Sequence, residues 1–298
     1  MAQVITSVDH LTFSAHNLPA LPAPKQVLMV EPTFFSVDYA INPHMADNIG
    51  NVDKTAARNQ WQQVLGVFRQ LGFSVHRLEG QKGLPDMVFC ANQSLPYINP
   101  AGRKQVVMSI MHSDMRKEEV PYIEQWYRQQ GYEVRYLDRE KVRAFEGCGD
   151  AIWHSGQRLL WGGYGYRTSR EAYKAVSGML DVPVMALRLA DEHFYHLDTC
   201  FCVLNETTVL IYPQAFTESG LKLIHAVFDH VIEASEDEAK ERFACNASCP
   251  DGQNVIIQQG CREVNSKLRE AGFTIHEVET SEYLKSGGSV FCMKQLLW

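Results

Sequence analysis

Apolar residues along this chain fall into two alternating patterns, short strand-like runs and longer stretches that repeat every three to four residues. The run "QVLMVEP" is followed by "TAARNQWQQVLGVFRQLG", where Trp61, Leu65, Phe68 and Leu71 share one helical face. Gly72 then marks a helix end, and "FSVHRLE" resumes a strand. The same order recurs in "RKQVVMSIM", "EEVPYIEQWYRQQG" and "YEVRYL". It returns in "TTVLIYP", "ESGLKLIHAVF" and "HVIEAS", and again in "QNVIIQQG", "CREVNSKLREAG" and "FTIHEV". These strand, helix, strand units predict a repeated α/β architecture, alike in pattern and unlike in sequence, with each helix ending in Gly. No Pro-, Gly- or Ser-rich linker divides them. Residues 1–298 therefore read as a single domain, with 1–26 as an N-terminal extension.

Composition narrows the classes. A hydrophobic content of 45% supports a substantial core. A net charge of -7 with no long Lys or Arg run argues against nucleic-acid binding, which needs clustered positive charge. No apolar run approaches the roughly 18 residues of a membrane span. The opening "MAQVITSVDHLTFSAHN" lacks a basic leader region, and Asp9 and His10 interrupt any signal core, which points to the cytoplasm. The eight cysteines show no zinc-ribbon spacing, and "TCFC" sends Cys200 and Cys202 to one side of a strand. Reduced thiols, with neither disulfides nor metal, are expected.

The segments between the units carry the candidate chemistry. "FEGCGD" sets Glu146 and Asp150 four apart across two glycines, which suits a bound cation or acid/base work, although a solvated acidic turn explains it equally. In "FYHLDTCFC", His196 and Asp198 alternate along a predicted strand and share a face, either as a satisfied core histidine or as a proton-transfer group. "LPDMVFCANQS" places Asp86 and Asn92 on one face of a strand-like segment, and "GYGYRT" offers Arg167, whose planar fork can hold a carboxylate. The last apolar run, "SVFCM", follows Gly287 and Gly288. Its Cys292 reads as a buried strand residue or as a nucleophile on a strand end, with the glycines permitting close approach.

Taken in order, "PDMVF", "FEGCGD", "FYHLDT" and "GGSVFCM" resemble the guanidino-group-modifying enzymes, the pentein superfamily of arginine deiminases, dimethylarginine dimethylaminohydrolases and amidinotransferases. "DYAINPHM", "FCANQ", "GYGYRT" and "FACN" make the chain most similar to the arginine dihydrolase branch. The resemblance covers roughly residues 27–294. It implies a five-bladed α/β propeller of ββαβ-like units, no cofactor, and a small guanidino substrate as the partner, with oligomeric state, a homo-oligomer included, left open. By resemblance Cys292 is the nucleophile, His196 the general acid/base and Glu146 its carboxylate partner. Asp198, Asn92, Asp86, Asp150, Arg167 and Asn42 fall at or beside substrate-binding positions, although a turn-forming Asn-Pro accounts for Asn42 equally.

Two departures from the deiminase pattern bear on activity. Asn92 stands where deiminases carry aspartate and dihydrolases carry asparagine. An amide there holds a cation less tightly and suits a second cleavage, giving ornithine, carbon dioxide and two ammonia molecules. Ile110 occupies the expected place of an arginine for the α-carboxylate, leaving Arg116 or His112 to supply that contact, or a substrate without the carboxylate. A deiminase, a dimethylarginine hydrolase, and a non-catalytic guanidino-binding protein are the rival readings.

Overall fold

Five small sheets carry the chain, and the computed structural model describes residues 2–298. Ser94–Ile98 and Lys104–Met108 form a hairpin, helix Val120–Gln129 crosses over, and Glu133–Tyr136 returns parallel to the second strand. The order repeats through Ala151–Trp153, Leu160–Tyr164, helix Arg170–Leu180 and Pro183–Arg188. It repeats again through Phe201–Val203, Thr208–Ile211, helix Glu218–Val227 and His230–Glu233. One unit joins distant parts of the chain: Gln295–Leu297 pairs antiparallel with Gln26–Val30, and helix Lys54–Gln70 leads to the parallel strand Ser74–Leu78. In the last unit Asn254–Gln258 and Thr274–Val278 run parallel around helix Arg262–Glu270, with the hairpin reduced to a bridge between Ser248 and Ile256.

Local chemistry accounts for these elements. Asp53 caps helix Lys54–Gln70 by accepting from the Thr55 and Ala56 amides, and Trp61, Leu65 and Phe68 bury the face that their spacing predicts. Parallel crossovers cover the middle strand of each unit, so runs such as Val27–Val30 and Val209–Ile211 are buried at every position. Helix Glu218–Val227 breaks the glycine rule: Phe228 stops it in an extended conformation and fills the core.

The unit from 151 to 188 escapes the periodicity because its first strand has three residues and two glycines interrupt the second, "LWGGY". The N-terminal residues are more than an extension. Gln3–Ile5 adds a parallel strand to Pro183–Arg188.

Three segments expected as strands are turns. Pro85–Val88 and Leu197–Thr199 are single 3-10 turns, and regular strand begins only at Ser94 and Phe201. "SVFCM" is also a turn, with the strand starting at Gln295. Local amide-to-carbonyl bonds, such as Thr199 to His196 and Phe89 to Asp86, replace sheet pairing there. Each turn immediately precedes the first strand of a unit, and together they face one centre.

Candidate active site

Glu146, in the turn before Ala151–Trp153, receives three donors. His196 Nε2 lies 2.6 Å from Oε2, the Arg167 guanidinium lies 3.4 Å from the same oxygen, and the His112 amide donates to Oε1 at 2.8 Å. Burial acts to raise the Glu146 pKa, but the His196 hydrogen bond and the charges of His196, Arg167 and Arg116 outweigh it and hold the carboxyl at about 2. An ionised carboxylate therefore fixes the imidazole by one nitrogen. The other nitrogen is left for proton transfer.

The next turns hold the thiol. Cys292 Sγ donates to Asp198 Oδ2 at 3.1 Å, and Asn246 Nδ2 reaches the same sulfur at 3.3 Å. Asn246 also donates to the Asp198 carbonyl and accepts from the Ser289 amide, tying the two turns together. Burial and then the Asp198 charge push the Cys292 thiol well above its ordinary range, and burial pushes Asp198 up to about 7. Without a ligand this is a neutral thiol donating to a carboxyl, and Asp198 Oδ1 has no partner.

On the far side, Arg116 is 4% exposed and threads between the turns. It pairs with Glu119 at 2.9 Å and donates to Asn92 Oδ1 at 2.8 Å and to the carbonyls of Asp86 and Phe89. Because Arg116 takes the amide oxygen, Asn92 presents its Nδ2 as an unpartnered donor. That nitrogen packs on Gly149, where an added Cβ would lie 2.2 Å from it and 3.5 Å from the His196 ring. Asp86 accepts from Tyr39 and Ser286. Arg167 donates to the Ile41 carbonyl and stacks on Tyr195.

Asn42, Asp86, Asn92, Arg116, Arg167 and Cys292 thus line one narrow cavity with about 10 Å³ of free space. Asn42 ties its wall together by donating to the Ser286 carbonyl at 3.0 Å. Gly287 bends the wall with a left-handed φ of 83°, and an added Cβ would lie 2.7 Å from the Tyr195 hydroxyl. A guanidino compound needs this wall, or the segment from Tyr39 to Asn42, to move.

Two expectations require correction. Asp150 does not line the cavity; its Oδ1 accepts from the Leu197 amide at 3.0 Å and so orients the His196 turn. Ile110 is a core residue bridged to Phe145, and Arg116 reaches the cavity from a helical turn that folds back toward it. His112 contributes its backbone amide to Glu146.

Sequence reading also missed Asn246, Tyr195, Ser286 and Glu119. Asn246 lies in "FACN", a stretch that carries the resemblance without singling out this residue. Nothing in local spacing marks the other three, because their partners lie in distant turns.

Residues 32–297 match the sequence family described as eukaryotic N,N dimethylarginine dimethylhydrolase. The bifunctional arginine dihydrolase/ornithine cyclodeaminase ArgZ of Synechocystis sp. is 36% identical over 270 residues, 90% of this chain and 37% of that protein. The chain thus spans little more than a third of that relative. The N(G),N(G)-dimethylarginine dimethylaminohydrolase of Mycobacterium tuberculosis is 36% identical over 91% of this chain and 85% of its own length. Among solved structures, the substrate-bound N-terminal domain of ArgZ, a cyanobacterial arginine dihydrolase, superposes with a TM-score of 0.85 at 35% identity, covering 91% of this chain and 97% of that one. The chain therefore belongs to the guanidino-group-modifying, or pentein, superfamily, in the branch of the arginine dihydrolases and dimethylarginine dimethylaminohydrolases.

Proposed function

We propose that this chain is a cysteine-dependent hydrolase of the arginine guanidino group that works as an arginine dihydrolase. The observation that carries the reading is the meeting of a thiol, a carboxyl and a carboxylate–imidazole pair at one place: Cys292, on the cavity wall, donates to Asp198, and Glu146 holds His196 in the neighbouring turn. Arg116 and Arg167 line the same cavity and give it positive charge beside the carboxylate of Asp86, so a substrate carrying both a cationic and an anionic group fits the lining. Residues from 42 to 292 meet in the cavity, so catalysis is assigned to the chain as one unit.

A guanidinium entering beside Asp198 and Asp86 takes over the acceptor of the thiol hydrogen bond, its charge favours the thiolate, and the thiol proton passes to the imidazole of His196. The sulfur attacks the guanidino carbon, and the terminal nitrogen leaves as ammonia after taking that proton from His196. Water then gives one proton to His196 and attacks the amidino carbon; collapse of the adduct expels the thiolate, which takes up the remaining hydroxyl proton, and leaves a neutral ureido group.

Asn92 favours a second round. A lone Nδ2 donor suits a ureido oxygen, whereas a guanidinium offers only donors of its own. Attack of Cys292 on the ureido carbon releases the second ammonia, and hydrolysis of the resulting thiocarbamate gives a carbamate that loses carbon dioxide. Arginine and two waters become ornithine, carbon dioxide and two ammonia molecules. The eight free thiols suit a reducing cytoplasm, and among the described residues no helix is long and apolar enough to cross a membrane.

A dimethylarginine dimethylaminohydrolase is the second reading, favoured by the family match and the mycobacterial relative. Mass spectrometry of products formed from arginine and from dimethylarginine, with Cys292→Ala as control, separates the readings. Ornithine without accumulating citrulline supports the dihydrolase. Citrulline from arginine alone makes the enzyme a deiminase, and citrulline from dimethylarginine alone selects the second reading.

A further inference from the structure

The catalytic turns have a second side, and it lines a larger cavity of about 470 Å³. Cys148 stands two residues after Glu146, Ser248 two after Asn246, and Lys294 two after Cys292; all three line this cavity and not the small one. Backbone alternation thus gives each turn one residue for catalysis and another for the chamber behind it.

Lys294 sets the chemistry of the chamber. Its side chain is 2% exposed, and its Nζ lies 3.2 Å from the centroid of the Phe291 ring. Among the described residues it has no salt-bridge partner, although a buried ammonium is costly without one. Burial lowers its pKa, and the neighbouring groups Cys148 and Asp198 act the other way. The nearby thiols cannot serve as counter-ions, because burial raises the pKa of Cys148 to about 11 and of Cys202 to about 12. Gln295 donates to Cys148 Sγ, while its Oε1 is buried without a partner.

The rest of the chamber selects among anions. Trp153, Phe291 and Trp298 give it broad apolar walls. Glu206 and Asp251 also line it, are exposed to solvent, and keep their carboxylates occupied with Gln157 and with Gln253 and Asn254. Two acidic groups beside one buried cation oppose a multiply charged ligand and tolerate a single negative charge. A volume of this size accommodates a small organic molecule.

We propose that this chamber binds an organic monocarboxylate with an apolar body, its carboxylate on Lys294 and its body against Trp153, Phe291 and Trp298. The ligand replaces the missing counter-ion and buries apolar surface together.

Tryptophan fluorescence of the full chain, titrated with benzoate and phenylacetate, tests the site directly, since Trp153 and Trp298 form its walls. Acetate and the dianion phenylphosphonate serve as comparisons. Saturable quenching by the aromatic monocarboxylates is expected, at least about tenfold weaker in Lys294→Met and retained in Lys294→Arg. It persists in Arg167→Gln, which separates this chamber from the catalytic cavity. Circular dichroism checks that each variant folds. A second measurement needs no substitution: reductive methylation of the wild-type protein, followed by peptide mass spectrometry, shows Lys294 protected by benzoate. Absence of saturable quenching, loss of binding in Arg167→Gln but not in Lys294→Met, or labelling of Lys294 unaffected by benzoate overturns the proposal.

Discussion

The thiol of Cys292 donates to Asp198 Oδ2 across 3.1 Å, inside a site where burial disfavours charge on both groups. On the proposed mechanism the pair stays neutral until a cationic substrate arrives. An alkylating agent that carries an amidinium is expected to modify Cys292 at least about a hundredfold faster than its neutral amide isostere, because only the cation makes the thiolate favourable. Peptide mass spectrometry of timed samples reads both rates. Equal rates would mean that the thiolate exists without substrate.

Removing the carboxylate should cost more than removing its charge partner elsewhere. On the proposed mechanism Asp198→Asn is expected to lower kcat/KM by about two to four orders of magnitude, the range for a group proposed both to bind the cation and to set the protonation of the attacking thiol. Its stability should respond to pH in the opposite sense to an ordinary carboxylate. Asp198 has a pKa of about 7 in the folded protein, raised from 3.8, so the folded state keeps a proton that the unfolded chain releases between those values. Wild-type stability from this group is fully present below about pH 4 and is lost as pH rises toward 7. The Tm of Asp198→Asn should therefore gain on wild type as pH is raised from 4 to 8, which thermal melts at fixed ionic strength will show.

Asn92 is committed by its oxygen to Arg116, and this makes the identity of its other atom decisive. In Asn92→Asp, the second oxygen becomes an acceptor for a guanidinium and loses the donor suited to a ureido group. Citrulline is expected to rise from a minor product to the main one, by about tenfold or more in the citrulline to ornithine ratio. Quantitative amino-acid analysis over a single time course checks it, and an unchanged ratio removes Asn92 from the second step.

Arg116 and Glu119 are both buried, and their ion pair is part of the wall as well as of the proposed substrate contact. Truncating Arg116→Ala leaves Glu119 buried without its cation and is expected to destabilise the protein by about 3–5 kcal/mol. Adding Glu119→Gln should recover much of that loss without restoring KM for a substrate bearing an α-carboxylate. Denaturant titrations and steady-state kinetics on the three proteins separate the structural role from the binding role.

Much of the architecture is legible in the chain, and what is legible is what local physics decides. Trp61, Leu65 and Phe68 bury one helix face because 3.6-residue periodicity and the Asp53 cap act within a single segment. The middle strands show as unbroken apolar runs because helices cover them. The unit from 151 to 188 was hidden where Gly162 and Gly163 interrupt its apolar run, although an added Cβ at Gly162 would lie 2.4 Å from the Tyr173 ring. Packing requires glycine there, and propensity reads it as a break.

The sequence alone set the residue types of the site and their order: a cysteine after two glycines, a histidine two before an aspartate, an asparagine where an acid is the alternative. It assigned them to strands, because apolar neighbours imitate strand patterning, whereas local turn bonds hold them just outside the sheets. Only the tertiary structure decided that Arg116 enters the site while Ile110 stays in the core, that Asp150 braces a turn, and that Asn246 joins Asp198 to Cys292. Those outcomes depend on hydrogen bonds between turns 24 to 94 residues apart, set by how five units pack around one centre. Periodicity within one unit has no access to that distance.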